Sequence, residues 1–287
     1  DVARRANELA SALDEPCFLP QDRWNVWKRS PCLIHPLAGV KRNIRQIEDS
    51  LADKVENAVE AASSYLKSQY LDSAHSQEDL YKRLFLALWR LLPDPRWEKL
   101  DKLPKGVKAI WELLPADPRV PDHSIWDLAS TASALAGTYD QNEGAFKPAF
   151  LIFTIASAQE FVSAARRTQD LWMGSFLLSY LIWRAMKPVI EEVGPDAMIF
   201  PDLRGQPLVD RWLLYGIRLD DQLIRNRAKD YDRIRIANLP NIFTAIVPEG
   251  RAEKLAKAAV QGVREAKREI AEAVRSYVEG ALEAEDN

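Results

Sequence analysis

The chain has 287 residues, 47% of them hydrophobic, and a formal net charge of −3 from 39 Lys plus Arg against 42 Asp plus Glu. That length and apolar content support one or two domains with substantial cores. The near-balanced charge excludes a global basic field for non-specific nucleic-acid binding, so any RNA or nucleotide contact must come from a local cluster. No run of about 18 apolar residues occurs, so no membrane-spanning helix is expected; the longest candidate, 171–190, is interrupted by Arg184 and Lys187. Two cysteines, Cys17 and Cys32, give neither a metal spacing nor a disulfide framework and fit a reducing, cytoplasmic setting. The start, Asp-Val-Ala-Arg-Arg, has no methionine and no signal peptide, and the end stops in a helical pattern, which reads as a piece of a longer protein.

In chain order, residues 1–13 form an amphipathic helix candidate. Residues 16–36 are loop-like and carry Trp24 and Trp27 beside Lys28 and Arg29, which are either aromatic anchors of a long loop, the commoner role, or a stacking surface for RNA. Ile47, Leu51, Val55, Val59 and Ala62 recur at helical spacing across 44–70, and a second helix, carrying Leu84, Leu86, Leu88 and Trp89, covers 77–92 before Pro93. Proline punctuation over 93–119 predicts loops around one short helix near 107–114. Residues 127–136 form a small-residue helix, and the polar stretch 137–147, with Gly144, is the best domain boundary, at about residue 145.

Beyond that boundary, 149–155 is a continuous apolar run suited to a buried strand. Residues 157–192 are helical with a break near 168–174, and 197–200 is a second short strand closed by Pro201 and Asp202. Strand, helix and strand in that order predict a parallel βαβ unit. Residues 211–230 form a helix of mixed charge, 241–247 a third strand, and 251–279 a long helix. Its stripe is Leu255, Ala259, Val263, Ala266, Ile270, Val274 and Tyr277, and its charged residues form a solvated face.

Three constellations carry candidate chemistry. Asp122, His123 and Asp127 put an imidazole and carboxylates near one helix start, with His123 and Asp127 on one face, as a divalent metal requires; helix capping by Asp122 or Ser124 is the plain alternative. The second groups Arg166, Arg167, Asp170, Trp172, Gly174 and Ser175: the arginines suit bidentate phosphate contacts, and Gly174 and Ser175, read as opening the long helix, would offer an anion site at its N-terminus. Asp202, Arg204, Gly205 and Gln206 follow a strand's carboxyl end, the edge where α/β sheets bind ligands, and Arg204 and Gln206 could read phosphate or base edges; an ordinary Gly-Pro turn is the alternative. No Walker P-loop, Gly-x-Ser-x-Gly elbow or Cys-x-x-Cys pair is present.

Residues 153–186, FTIASAQEFVSAARRTQDLWMGSFLLSYLIWRAM, followed by 194–210, GPDAMIFPDLRGQPLVD, resemble the first palm (cyclase/polymerase-like) domain of the large subunit of type III-B CRISPR effector (Cmr) complexes. The likeness is sharp from about Arg119 to Pro248, including the 121–127 segment PDHSIWD, and loose before it. It implies an α+β chain of two domains: a helical HD-like N-terminal domain over 1–145 and a ferredoxin-like palm over 146–287. In the family two palms face each other and bind a pair of ATP molecules. The resemblance therefore implies a nucleotide site drawn from Ser157, Arg166, Arg167, Asp170, Gly174, Ser175, Asp202, Arg204 and Gly205. It also implies a divalent metal (Mg, Mn or Ni) at an HD-type site.

What the full protein would do is equally implied by the resemblance. Within a crRNA-guided antiviral complex it would respond to target RNA, make cyclic oligoadenylate and, in some members, cleave single-stranded DNA. Its partners would be the other subunits, crRNA and target RNA. The chain departs from the pattern in two places: His35, His75 and His123 are never followed by Asp, so the His-Asp dipeptide is missing, and Gly-Gly-Asp-Asp, which belongs to the second palm, does not occur. The chain alone is thus expected not to polymerise ATP. A non-catalytic scaffold subunit and a free-standing HD-type metal-dependent phosphohydrolase remain the alternatives.

Overall fold

The structure, a computed structural model, describes residues 1–11, 32–34, 41–43, 51–71, 74–101, 103, 105–116 and 123–285. Cys17, Trp24, Trp27, Lys28, Arg29, His35 and Asp122 lie outside the described residues. The chain divides into two compact units, one of residues 1–136 with 209–229 and one of residues 137–208 with 230–287. The division therefore differs from a single cut near 145. It falls at Gly137, and the segment 209–229 returns to the first unit because its polar and apolar side chains are buried there.

The first unit is mainly helical. Helix α1 (Val2–Ala10), capped by the Asp1 carboxylate on the Ala3 N–H, packs against the small-residue helix α5 (Ile125–Ala136). Helix α2 (Leu51–Tyr70) packs on α3 (Gln77–Leu91), which opens on Ser76, whose hydroxyl accepts from the Asp79 N–H. Cys32–Ile34 and Lys41–Asn43 form a small antiparallel pair, β1 and β2. Between α3 and α5 lies the short helix α4 (Lys105–Ile110). Trp97 and Trp111 are fully buried. Each indole is satisfied as burial requires: Trp97 donates to Asp221 (3.1 Å) and Trp111 to the Leu92 carbonyl (2.6 Å).

The single helix expected over 211–230 is instead two, α8 (Pro207–Tyr215) and α9 (Gln222–Ala228), and a further short helix, α10 (Tyr231–Ile234), follows. The first break follows Gly216, with Arg218 at φ 64. The Asp221 carboxylate then caps α9 and the Asp230 carboxylate caps α10 through backbone N–H groups. Side-chain caps of this kind end and restart helices that apolar spacing alone would run together.

Tyr70, at the end of α2, is buried, and its phenol is pushed up to about 12, first by burial and then by the nearby Asp221 carboxylate. Below pH 10 both folded and unfolded chains keep this proton. Above it the unfolded chain ionises first, so the contribution is lost as pH rises towards 12. At pH 11 the loss should be about 1 kcal/mol larger than in Tyr70→Phe, read as the difference in urea midpoint shifts between pH 9 and 11.

The second unit begins with a hairpin, β3 (Tyr139–Asp140) and β4 (Ala145–Phe146), turned at Gly144 with φ 65, a conformation that favours glycine. Its sheet has three strands in the order β5 (Pro148–Thr154), β7 (Ile242–Pro248), β6 (Met198–Phe200), with β7 antiparallel to both neighbours. β5 and β6 thus run in the same direction, but they are not paired: the expected parallel βαβ unit is split by β7. The antiparallel partner is the better ladder, and β7 earns the central place with Phe243, Ala245 and Val247 fully buried.

Helix α7 (Thr168–Val193) runs unbroken for 26 residues, which removes the expected break near 168–174. It packs against α11 (Ala252–Glu285), whose Leu255, Ala259 and Ala266 are fully buried. The apolar stripe read from the sequence therefore faces a core in its first half. From Val274 onward the same stripe is exposed. Register puts Leu151, Phe153, Phe243, Ala245 and Met198 on one sheet face and Phe150, Ile152, Thr244 and Phe200 on the other. The second face is open, with Phe150 72% exposed.

Candidate nucleotide site

The carboxyl ends of β5 and β6 lie at one edge of the sheet, about 10 Å apart because one strand intervenes. β7 starts at that edge and is tied to the end of β5: the Ile155 N–H donates to the Asn241 carbonyl (2.8 Å), and the Asn241 amide donates to the Ile155 carbonyl (3.0 Å). Both predicted nucleotide segments leave from here. After β5 the chain turns at Ser157 (φ 57, ψ 25), forms the short helix α6 (Ala158–Ser163) and passes Arg166 and Arg167 into α7. A serine in the left-handed region is a strained position of the kind that collects at binding sites. After β6 the chain makes a cis Phe200–Pro201 peptide and enters the Asp202 turn.

Arg166 and Arg167 are exposed, and among the described residues neither guanidinium has a partner. They sit directly before the first turn of α7, whose leading backbone N–H groups lack intrahelical acceptors. Asp170 takes one such donor, accepting from the Arg167 N–H at 3.2 Å. Its observed part is to cap its own helix. Gly174 and Ser175 do not open the helix, as the sequence reading had it: they lie in its second turn. Their backbone groups belong to the helical ladder, Gly174 is covered by the Phe161 ring, and the Ser175 hydroxyl donates to the Leu171 carbonyl at 2.9 Å. The helix opens instead at Thr168, about a turn and a half earlier.

The second segment is a self-bonded turn. Gln206 N–H reaches the Leu203 carbonyl (3.3 Å) with Gly205 at φ 73, the third position of a type II turn, where glycine avoids strain. The Asp202 carboxylate accepts from the Arg204 N–H (3.0 Å) and Nε (3.3 Å), and the Arg204 side chain is 15% exposed. Arg204 is therefore already engaged, unlike the pair on the other segment.

At the candidate metal site, α5 opens with a reciprocal cap. The Ser124 hydroxyl donates to Asp127 Oδ2 (2.7 Å), and the Asp127 N–H approaches Ser124 Oγ (3.2 Å). The plain alternative holds for Ser124. Among the described residues no group of three or more His, Cys, Asp or Glu is placed to hold a metal ion. Asp127 is engaged in the cap, and Asp122 lies outside the described residues.

Two features were not assigned a role from the sequence. One is a ladder of rings on α7 at four-residue spacing: Trp172 to Phe176 (6.3 Å, 17° between planes) and Phe176 to Tyr180 (6.5 Å, 18°). The 172, 176, 180 spacing was its signal, hidden inside an apolar run. The other is Arg184, which lies over Tyr180 (5.9 Å) and makes a two-pronged pair with Glu269 on α11 at 2.5 and 3.0 Å. The Glu269 hydrogen bonds hold the Arg184 guanidinium above its ordinary range, and Arg184 holds the Glu269 carboxyl below its own.

One unit is mainly helical and the other holds a split β–α–β arrangement, which defines an α+β protein. Residues 150–278 match the family described as "CRISPR-associated protein Cmr2, N-terminal". The chain is 25% identical over 258 residues to the CRISPR system Cmr subunit Cmr2 of Pyrococcus furiosus and 28% identical over 217 residues to that of Saccharolobus solfataricus. These alignments cover 82% and 74% of this chain but 27% and 19% of those proteins. Two solved structures of type III-B Cmr-beta, in the apo state and bound to cognate target RNA, share the fold, with TM-scores of 0.62 and 0.64 at 23% and 24% identity. They cover 96% and 98% of this chain and 28% and 29% of theirs. These matches support the chain as similar to the N-terminal portion of the Cmr2 large subunit of type III-B CRISPR complexes. Among the described residues no helix is long and apolar enough to cross a membrane.

Proposed function

We propose that the second unit is a ferredoxin-like palm that holds the phosphates of ATP at the carboxyl edge of its sheet. It does so within the large subunit of a crRNA-guided type III-B effector complex in the cytoplasm, beside other subunits, crRNA and target RNA. The observation that carries the reading is the unpaired Arg166–Arg167 pair at the first turn of α7. Guanidinium forks match phosphate oxygens bidentately, and free backbone N–H groups beside them add to the same field. Ser157 adds a hydroxyl at the same edge. The strand order β5–β7–β6, with helices after β5 and β7, supports a ferredoxin-like arrangement. The first unit is the counterpart of the family's helical HD-like domain, with capping residues where a metal site is expected. The chain carries no Gly-Gly-Asp-Asp turn, so its part in cyclic oligoadenylate synthesis is to bind and orient ATP.

Titration calorimetry with ATP tests this. Arg166→Ala/Arg167→Ala should lose about tenfold in affinity, roughly 1.4 kcal/mol. Arg204→Ala should lose less than about threefold, because its guanidinium is already spent on Asp202 in a turn near solvent. Unchanged affinity in a folded double variant overturns the site. The exposed Phe150, Ile152 and Phe200 favour a second reading, a scaffold that offers this sheet face to neighbouring subunits; under it ATP does not bind at all.

A further inference from the structure

The ring ladder on α7 is terminated differently at its two ends. At the inner end Arg184 covers Tyr180 and is fixed by two hydrogen bonds to Glu269. At the outer end Trp172 has Phe176 on one side and is 44% exposed. Stacks with centroids 4.5–7 Å apart are favourable offset pairs, so each ring restrains the next. The indole is held in orientation by its neighbour while a large part of its surface stays open to solvent. Rigid exposed aromatic surfaces of this kind suit nucleobases, because every base has a π-face and the ring loses little freedom on contact.

The ladder's place matters as much as its form. Trp172 follows Arg167 by five residues, about 7 Å along the helix axis at 1.5 Å per residue. One nucleotide separates its base from its phosphates by a ribose, so phosphates held over the helix end and a base laid against its side, about 140° round from Arg167, match a single bound molecule. Leu171, Met173 and Phe161 are exposed too, so this turn of the helix offers further apolar surface.

We propose that Trp172 is the base-stacking residue of the nucleotide site, with Phe176 and Tyr180 as positioning residues that hold its ring. This rests on the phosphate reading above. Stacking is indifferent to the identity of the purine, so ATP and GTP gain alike from it, whereas inorganic triphosphate gains nothing.

The test is calorimetry of the full chain with ATP, GTP and inorganic triphosphate, using wild type, Trp172→Leu, Trp172→Phe and the double arginine variant. Trp172→Leu should lose about tenfold for both nucleotides and nothing for triphosphate. Trp172→Phe should retain most of the affinity, since it keeps a ring. The double arginine variant should lose all three ligands together. Nucleotide-induced quenching of tryptophan fluorescence should shrink in Trp172→Phe. If Trp172→Leu binds ATP as the wild type does while the arginine variant does not, the stacking proposal falls and the phosphate reading stands. An equal loss of triphosphate and ATP in Trp172→Leu shows a structural role only and also overturns it. Absence of ATP binding to the wild type removes both.

Discussion

Asp210→Ala is expected to destabilise the first unit by about 3–5 kcal/mol, the cost of leaving one member of a buried ion pair alone. Arg90, on the α3 helix, is almost fully buried and meets Asp210 with two bonds, Nε to Oδ1 at 2.5 Å and Nη2 to Oδ2 at 3.0 Å. Asp94 takes the remaining Nη1 at 3.2 Å and is itself held by Arg96 through bonds of 2.7 and 2.8 Å. Burial works against the Arg90 charge, but Asp210 and then Asp94 outweigh it, and the guanidinium stays above its ordinary range. Arg227 feels the opposite balance: burial first, then the like charges of Arg90 and Arg96, lower it. Deleting Asp210 removes the carboxylate that balances this cluster and strands Arg90 in a region of positive charge.

The same physics predicts a rescue. Arg90→Met/Asp210→Leu removes both charges and fills the space with apolar atoms, and such exchanges run from neutral to stabilising. Urea unfolding followed by circular dichroism should place the double variant within about 1 kcal/mol of wild type, far above Asp210→Ala. A single-variant loss below about 1 kcal/mol would mean that the pair is hydrated and does not hold 209–229 to the first unit.

This pair also shows where sequence reading stops. The elements with strong local signals were legible. The Pro148–Thr154 strand, the Ile242–Pro248 strand and the long C-terminal helix fall within a few residues of their expected bounds, because apolar runs and stripes are local. What was missed depends on distant partners. Nothing near Asp210 says that it will meet a residue 120 positions earlier, and 211–230 read as one continuous helix of mixed charge. The split of the βαβ unit was hidden for the same reason: the order of β5 and β6 is local, but the strand between them arrives 42 residues after β6 ends.

In the candidate site, residue types were easier to read than their employment. Arg166 and Arg167 stand free, as two adjacent arginines in a polar loop allow. Asp170, Ser175, Asp202 and Arg204 have the right chemistry and spend it on caps and turns. Short polar side chains reach nearby backbone before they reach a ligand, and that competition is decided by geometry that sequence spacing does not display. The Gly174–Ser175 error is the clearest case: a glycine within a helical pattern was read as its start, when α7 had already begun at Thr168.

Gly262→Ala and Gly280→Ala are expected to shift stability in opposite directions, although they are the same substitution in one helix. Replacing a mid-helix glycine by alanine gains roughly 0.5–1 kcal/mol by helix preference alone. At Gly280 no heavy atom lies within 4 Å of the added Cβ, so that gain stands. At Gly262 the Cβ would overlap the backbone carbonyl oxygen of Arg184 and press on its carbon at 3.1 Å. Backbone inside a packed helix cannot swing aside as a side-chain tip can, so α7 and α11 must separate. Overpacking of this kind costs about 1–3 kcal/mol, which exceeds the helix gain, and Gly262→Ala should melt several degrees lower than wild type. The separation has a local reporter. Glu269 lies two turns along α11, and its carboxyl sits below the usual range mainly through its hydrogen bonds to Arg184. Moving the helices apart lengthens those bonds, so the Glu269 titration followed by NMR should rise towards the ordinary glutamate value in Gly262→Ala and stay put in Gly280→Ala. If Gly262→Ala proves as stabilising as Gly280→Ala, with Glu269 unmoved, α7 and α11 do not cross as closely as the Gly262 contact requires.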